Sequence, residues 1–149
     1  MAKFEISVHA VVFDDQKRIL LAHRRDMNMW DLPGGGLDPG ELPTEGAVRE
    51  TKEETGLDVE VDRLFIVGVA QEQSLGFVFF CRVTGGRLTT TDESDAVNFF
   101  SLSDLPALIS ARKRVIIETA YQNPSGILYA HVTQPQARQW YAEQQKKDK

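Results

Sequence analysis

GGGLDPGELPTEGAVRETKEETGL, Gly34–Leu57, opens on three glycines and then carries Asp38, Glu41, Glu45, Glu50, Glu53 and Glu54. The glycines resemble a loop built to hold a phosphate, yet the charge that follows would repel one. Gly35 and Gly40 match the start of the phosphate loop G-x-x-x-x-G-K-[ST], but Glu41 and Leu42 stand where that loop needs a lysine and a hydroxyl, so the reading fails on charge. The dinucleotide fingerprint G-x-G-x-x-G accepts Gly34 and Gly36 and then meets Pro39. What survives is a helix from Pro43 to Thr55, since proline suits the first helical position and Gly56 the position just past the end. At ~100° per residue, Glu50, Glu53 and Glu54 share one arc, while Ala47, Val48, Thr51 and Thr55 occupy another. One face packs, and the other presents three carboxylates.

Like charges at i,i+3 and i,i+4 each destabilise a helix by roughly 0.2–0.5 kcal/mol. An acidic helix face is by default merely solvated, and Glu45 and Arg49 have the spacing of an ordinary ion pair. Three features ask for more. The helix is weak by propensity, with Thr44, Gly46, Thr51 and Thr55; Leu42 is a poor N-cap; and the glycine loop brings backbone carbonyls toward the same carboxylates. A divalent cation offsets the repulsion. With no cysteine or histidine in the segment, oxygen donors point to Mg²⁺ or Mn²⁺ over zinc.

The rest of the chain is compatible with that reading. Its 149 residues suit one domain spanning the whole chain, with a polar tail from about residue 134 that is expected to be a frayed helix anchored by Trp140 and Tyr141. A net charge of −5 argues against a nonspecific nucleic-acid binder, but an acidic protein can hold a small phosphorylated ligand through a metal ion. No apolar run approaches the ~20 residues of a membrane span. The start MAKFEISVHAVVF alternates polar and apolar residues and lacks the apolar block of a secretory signal, so a cytoplasmic protein is expected. The lone Cys81, in FVFFCRV, is expected to be a core thiol.

Residues 4–13 and 18–24 read as strands of a hairpin around DDQK, and RDMNMWDLPGGG as a loop. Strands follow at about 58–71 and 76–84, then a polar loop and the short apolar run AVNFFSL. In LPALISARKRVIIETAYQ the helical spacing picks out Leu108, Ala111, Arg112, Val115, Ile116 and Thr119 as a packing face, and ILYAHV reads as a last strand. Strands interleaved with two helices predict an α/β fold with its sheet covered on both sides.

Gly35, Glu41, Arg49, Glu50, Glu53, Glu54, Gly56 and Leu57 lie in the register of G-x5-E-x7-R-E-U-x-E-E-x-G-U, and on them the chain resembles the Nudix hydrolases. Thr51 departs from the pattern, which wants a bulky aliphatic residue there. The flanks WDLPGGG and FFSLSDLP also resemble that family, so the likeness covers roughly residues 4–120. It implies a Nudix-type α/β/α sandwich with a mixed β-sheet, and a pyrophosphohydrolase of nucleoside diphosphates linked to another moiety. It further implies that Glu50, Glu53, Glu54 and the Gly35 carbonyl bind Mg²⁺ or Mn²⁺, with Glu41 and Arg49 as a supporting pair.

The same resemblance makes Glu93, six residues before Phe99, a candidate for the catalytic base, with Asp95 and the helix residue Glu53 as alternatives. Arg24 and Arg25 are candidates for phosphate contacts, and Trp30, Phe77 and Phe79 for stacking a base, against a plain core role for the aromatics. His9, His23 and His131 lack ligand spacing and receive no metal role. Nucleoside triphosphates, ordinary or modified, lead the substrate classes, ahead of ADP-ribose, nucleotide sugars and dinucleoside polyphosphates. AQEQS, Ala70–Ser74, holds no proline where some ADP-ribose hydrolases carry one, and the SQPWPFPxS motif of NADH-type members is absent. A ligand-sensing domain without catalysis is disfavoured by the complete charged positions, and a prenyl diphosphate isomerase by the apolar setting of Cys81. Homodimers are frequent in that family, and a homodimer is an open expectation here.

Overall fold

A computed structural model describes residues 3–70 and 73–148. The chain runs β1 (Glu5–Val12), β2 (Ile19–Arg24), β3 (Trp30–Asp31), β4 (Gly34–Gly36), α1 (Pro43–Thr55), β5 (Leu57–Ala70), β6 (Ser74–Gly86), β7 (Ser94–Phe100), α2 (Ala111–Tyr121), β8 (Leu128–Val132) and α3 (Ala137–Lys147). A five-stranded sheet has the order β4-β1-β6-β5-β8, and a three-stranded sheet the order β3-β2-β7. The larger sheet is mixed: β1 lies parallel to β6 and antiparallel to β4, and β5 lies antiparallel to β6 and parallel to β8. Among the described residues no helix is long and apolar enough to cross a membrane. Of the AQEQS stretch, Gln71 and Glu72 lie outside the described residues.

Alternation along β1 builds both cores. Val8, Ala10 and Val12 turn to one side, where they join Ala47 of α1, Leu57, Val59, Phe79 and Cys81. Val11 joins the other core with Ile19, Leu21, Phe65, Phe80 and, from α2, Ile117 and Ala120. Phe65 is fully buried against Phe80, 4.5 Å between ring centroids, and its truncation to alanine would cost about 3–5 kcal/mol. Cys81 is a core residue, as its setting implies; burial pushes its thiol up to about 12, so it is no nucleophile.

Three expectations are corrected. β1 and β2 share only the bridge Phe13–Ile19 and then part into different sheets. Each has buried apolar residues on both faces, so each takes a central position with its own pair of neighbours instead of a two-stranded hairpin. The stretch read as a loop before α1 contains β3 and β4, and Gly34 is a strand residue because any Cβ there would lie 2.2 Å from the Val8 carbonyl oxygen. The second helix begins at Ala111. Trp30 N–H donates to the Leu108 carbonyl at 2.8 Å, which keeps the preceding segment extended, and Ser110 caps the helix by accepting from Lys113 N–H at 3.3 Å. Its buried residues are Lys113, Ile117 and Ala120, and Val115 of the expected packing face is 46% exposed. That face instead lines a groove against β5, β6 and β8.

Candidate active site

The carboxylate helix is held at both ends by devices the sequence carries. Gly56 has φ 79°, the left-handed conformation glycine tolerates, and its N–H donates to the Lys52 carbonyl at 3.0 Å. At the other end Leu42 contributes no side-chain cap, and Glu45 accepts from the Leu42 N–H at 3.0 Å. Glu45 therefore serves the helix terminus, which leaves Arg49 for other partners. The packing face is as read, with Ala47, Thr51 and Thr55 buried. Thr51 meets the burial by donating its hydroxyl to the Ala47 carbonyl at 2.8 Å, so the departure from an aliphatic residue is absorbed within the helix.

Arg49 joins the charged groups together. Its Nε donates to Glu41 Oε2 at 2.7 Å and its Nη2 to Glu41 Oε1 at 3.0 Å, a bidentate pair. Nη2 also donates to the Gly36 carbonyl at 3.1 Å, while Nη1 reaches Glu50 Oε1 and Glu53 Oε2, each at 3.2 Å. Arg49 thereby aims two helix carboxylates while anchored to the loop ahead of the helix. The hydrogen bonds from Arg49 hold the Glu41 carboxyl below its ordinary range, and Glu41 in turn raises the guanidinium.

Glu50, Glu53 and Glu93 each offer a carboxylate oxygen within 4.8 Å of the others. Glu54, on the same helical arc, has its Oε2 accepting from the Gly34 N–H at 3.2 Å, along β4. The strand edge supplies a donor, and Glu54 turns to it. Burial raises the Glu50 carboxyl above its usual range despite Arg49. Burial also pushes Glu54 up to about 9 against the Gly34 N–H, with the charges of Glu50, Asp31 and Glu93 adding to it. A cation beside Glu50 and Glu54 would offset the burial that raises both carboxyls. A hard divalent ion fits them: the donors are all oxygen, and the backbone at Gly35 comes so close that a Cβ there would lie 2.6 Å from Glu50 Oε1.

Beside the carboxylates opens a cleft of about 440 Å³, whose walls include His9, Arg24, Arg25, Asp31, Gly35, Glu54, Glu93 and Lys113. Lys113 Nζ donates to Asp31 Oδ1 at 3.0 Å, and both side chains are about nine-tenths buried. Burial is the largest influence on the Asp31 carboxyl and would raise it, but Lys113, His9 and Arg24 together outweigh it and the net shift is downward. His9 is pushed down to about 3, first by burial and then by Lys113, so it is a neutral ring at physiological pH. Sequence reading missed Asp31, Lys113 and His9 as cleft residues. The signals were present: His9 alternates with Val8 and Ala10 on β1, and Lys113 precedes the buried Ile117 by one helical turn.

The candidates for substrate contact fare differently. Arg24 lines the cleft with its guanidinium held by Asp26, at 2.8 and 2.7 Å, and 3.6 Å from Asp31. Arg25 also reaches the cleft, and its Nε donates to the Thr91 carbonyl at 2.8 Å. Trp30 packs edge-on against Phe100 and His23, at 4.9 and 5.3 Å between ring centroids, within the core around α2. Phe79 is 4% exposed in the core under α1, with Phe77 stacked beside it, so Phe79 offers no free face to a base, whereas Trp30 is only partly buried. Asp95, the alternative base, has its Oδ1 2.6 Å from His23 Nδ1.

The NUDIX domain family model matches residues 3–120. The MutT-like protein of Streptomyces ambofaciens is 41% identical over 99 residues, 64% of this chain and 63% of that protein. The human 8-oxo-dGDP phosphatase NUDT18 is 41% identical over 92 residues, 60% of this chain and 28% of its own length. The chain thus spans less than two thirds of either relative. Among solved structures, an ADP-ribose pyrophosphatase from Streptococcus suis superposes with a TM-score of 0.71 at 29% identity, covering 86% of this chain and 98% of the other.

Proposed function

The chain belongs to the NUDIX domain family, and from that premise we propose that it is a Mg²⁺-dependent cytoplasmic pyrophosphohydrolase acting on an ordinary or modified nucleoside triphosphate. The observation that carries this reading is the convergence of Glu93, from the loop before β7, on Glu50 and Glu53 of α1 at the mouth of the cleft. Mg²⁺ would be held by Glu50 and Glu53, with Glu54 and the Gly35 carbonyl alongside. When bound, it neutralises the diphosphate and makes water a stronger acid there.

Each chemical task then has a residue. Glu93 takes the proton of the attacking water onto a carboxylate oxygen, while the water oxygen bonds to one phosphorus and the opposite P–O anhydride bond breaks, its electron pair leaving with the departing phosphate. Glu41 and Arg49 keep the Glu50 and Glu53 carboxylates in orientation. Arg24, at the cleft wall, faces the phosphate chain. The adjoining groove, about 280 Å³ and walled by Ile66, Val78, Ile116 and Leu128, shares His9 and Lys113 with the cleft and receives the apolar faces of the nucleoside.

The names of the relatives support two substrate arms, an oxidised guanine nucleotide and ADP-ribose. The test is hydrolysis of a panel of 8-oxo-dGTP, dGTP, 8-oxo-dGDP, ADP-ribose and UDP-glucose with Mg²⁺, followed by detection of monophosphate. Fastest turnover of a triphosphate supports the reading; fastest turnover of ADP-ribose moves the substrate class; tight binding without turnover of any member replaces the enzyme with a sensor.

A further inference from the structure

Glu93 stands on a short loop, yet its carboxylate must meet two others carried by a helix. The loop is pinned on both sides, by the end of β2 and by Arg25, the residue after it. Two residues before Glu93, the Thr91 carbonyl accepts from Arg25 Nε at 2.8 Å. Two residues after it, Asp95 Oδ1 lies 2.6 Å from His23 Nδ1, and the His23 ring is fixed in turn by Asn28 Oδ1 at 2.9 Å and by the edge of Trp30. Between the two latches the Arg25 N–H donates to the Glu93 carbonyl at 3.2 Å.

A break in register lies where β2 meets this loop. In the β2–β7 ladder His23 faces Ala96 but Arg24 faces Ser94, so Asp95 is the extra residue of a bulge. Bulges re-aim the side chains that follow them. Here the slip gives Ser94 the facing that Asp95 would have had in an unbroken ladder, on the side of Phe99 and α1. The buried Ser94 hydroxyl accordingly donates to the Glu54 carbonyl on the carboxylate helix. The loop closes on itself as well: Glu93 and Ser94 N–H both donate to Thr91 Oγ1, at 3.1 and 3.2 Å.

We infer that Arg25 and the His23–Asp95 pair are positioning residues that hold Glu93 against the carboxylate helix, and that Arg25 serves the loop and not the substrate phosphates. The inference rests on the proposed role of Glu93 as proton acceptor. Outer partners of this kind are typically worth about tenfold to a hundredfold in activity.

The experiment places Arg25→Ala and Asp95→Ala each in the wild-type and the Glu93→Gln backgrounds. Steady-state hydrolysis with Mg²⁺ uses 8-oxo-dGTP or ADP-ribose, whichever the wild type turns over, and amide exchange is followed at residues 91–95 and across α1. Each single variant should lower kcat about tenfold with KM within about twofold, and Arg25→Lys should recover part of the loss. In the Glu93→Gln background neither should cause a further fall, because the residue they position is already disabled. Exchange at Glu93 and Ser94 should quicken about tenfold while α1 is unchanged. A rise in KM at constant kcat, or an undiminished loss in the Glu93→Gln background, would make Arg25 a substrate contact and overturn the inference. Unchanged exchange at residues 91–95 would overturn it whatever the activity. If Glu93→Gln alone leaves kcat intact, the proton-acceptor role fails, and the exchange result still decides the latches.

Discussion

Gly35→Ala separates the site from the fold, because the atoms an added methyl would meet belong to one catalytic side chain. An ideal Cβ at Gly35 lies 2.6 Å from Glu50 Oε1, 2.9 Å from its Cδ and 3.1 Å from Oε2. To reach the 3.4 Å of ordinary contact, the carboxylate must withdraw by about 0.8 Å. Glu50 can withdraw, since these atoms are the end of a flexible side chain, and the displacement costs an off-rotamer torsion of about 0.5–1.5 kcal/mol. Withdrawal also strains the 3.2 Å contact with Arg49 Nη1. A misplacement near 1 Å in a reacting constellation typically costs about a hundredfold in rate. The expected outcome is a kcat reduced roughly tenfold to a hundredfold, a Mn²⁺ affinity lowered in parallel, and a melting temperature within about 8 °C of the wild type. Gly34→Ala is the contrast, because its Cβ would strike the Val8 backbone carbonyl at 2.2 Å and must push β4 off β1. Steady-state kinetics, Mn²⁺ titration by electron paramagnetic resonance and thermal melts on both variants test this. A Gly35→Ala protein with unimpaired kcat and Mn²⁺ binding would refute the place given to Glu50.

Glu54→Gln should lower turnover roughly a hundredfold or more with little change in melting temperature, since the amide oxygen still accepts from the Gly34 N–H; kinetics and melts together check it. Arg49→Lys loses the fork on Glu41 and should reduce kcat about tenfold to a hundredfold while KM for substrate holds, read by steady-state kinetics. Lys113→Met leaves Asp31 buried without its ammonium and should cost about 3–5 kcal/mol in urea unfolding. The pH dependence follows from the same pair. Asp31 is held below its ordinary range in the folded protein, so at low pH the unfolded chain takes up the proton first and stability rises with pH. Its contribution is full above the unfolded value near ~3.9 and is lost as pH falls through the folded value, so melting temperatures should fall more steeply below about pH 4 in the wild type than in Asp31→Asn.

Much of this protein is legible in its sequence because α1 depends on local signals. Pro43 and Gly56 bound the helix as read, and the spacing separates Thr51 and Thr55 on its packing face from Glu50 and Glu53 on the other, although Glu50 too is buried. Glu41 and Arg49, eight residues apart, meet in an ion pair at 2.7 Å. Residues whose placement depends on distant strands were harder to read. Glu54 follows the helical arc only to its Cβ; the Gly34 N–H that captures it belongs to β4, which exists because glycines let the chain approach β1 closely. The hairpin reading of β1 and β2 failed for a related reason, since local turn chemistry at Asp14 is correct while sheet membership is decided by β6 and β7. Phe79, buried in the core, shows that an aromatic residue near the site is not assigned to base or core by its neighbours in sequence alone. A bulge at Asp95 leaves no local trace in the sequence, yet it determines where Ser94 points.

In the proposed function, carboxylates from α1 and the β7 loop gather around one divalent ion that carries the diphosphate. Anomalous diffraction from crystals soaked in Mn²⁺ tests it most directly. The expected result is a peak with oxygens of Glu50 and Glu53 at coordination distance, roughly 2.0–2.2 Å as for other small hard cations, and Glu93 facing it. A protein that hydrolyses its substrate with the Mn²⁺ peak elsewhere, and those carboxylates still bound only to Arg49, would contradict it.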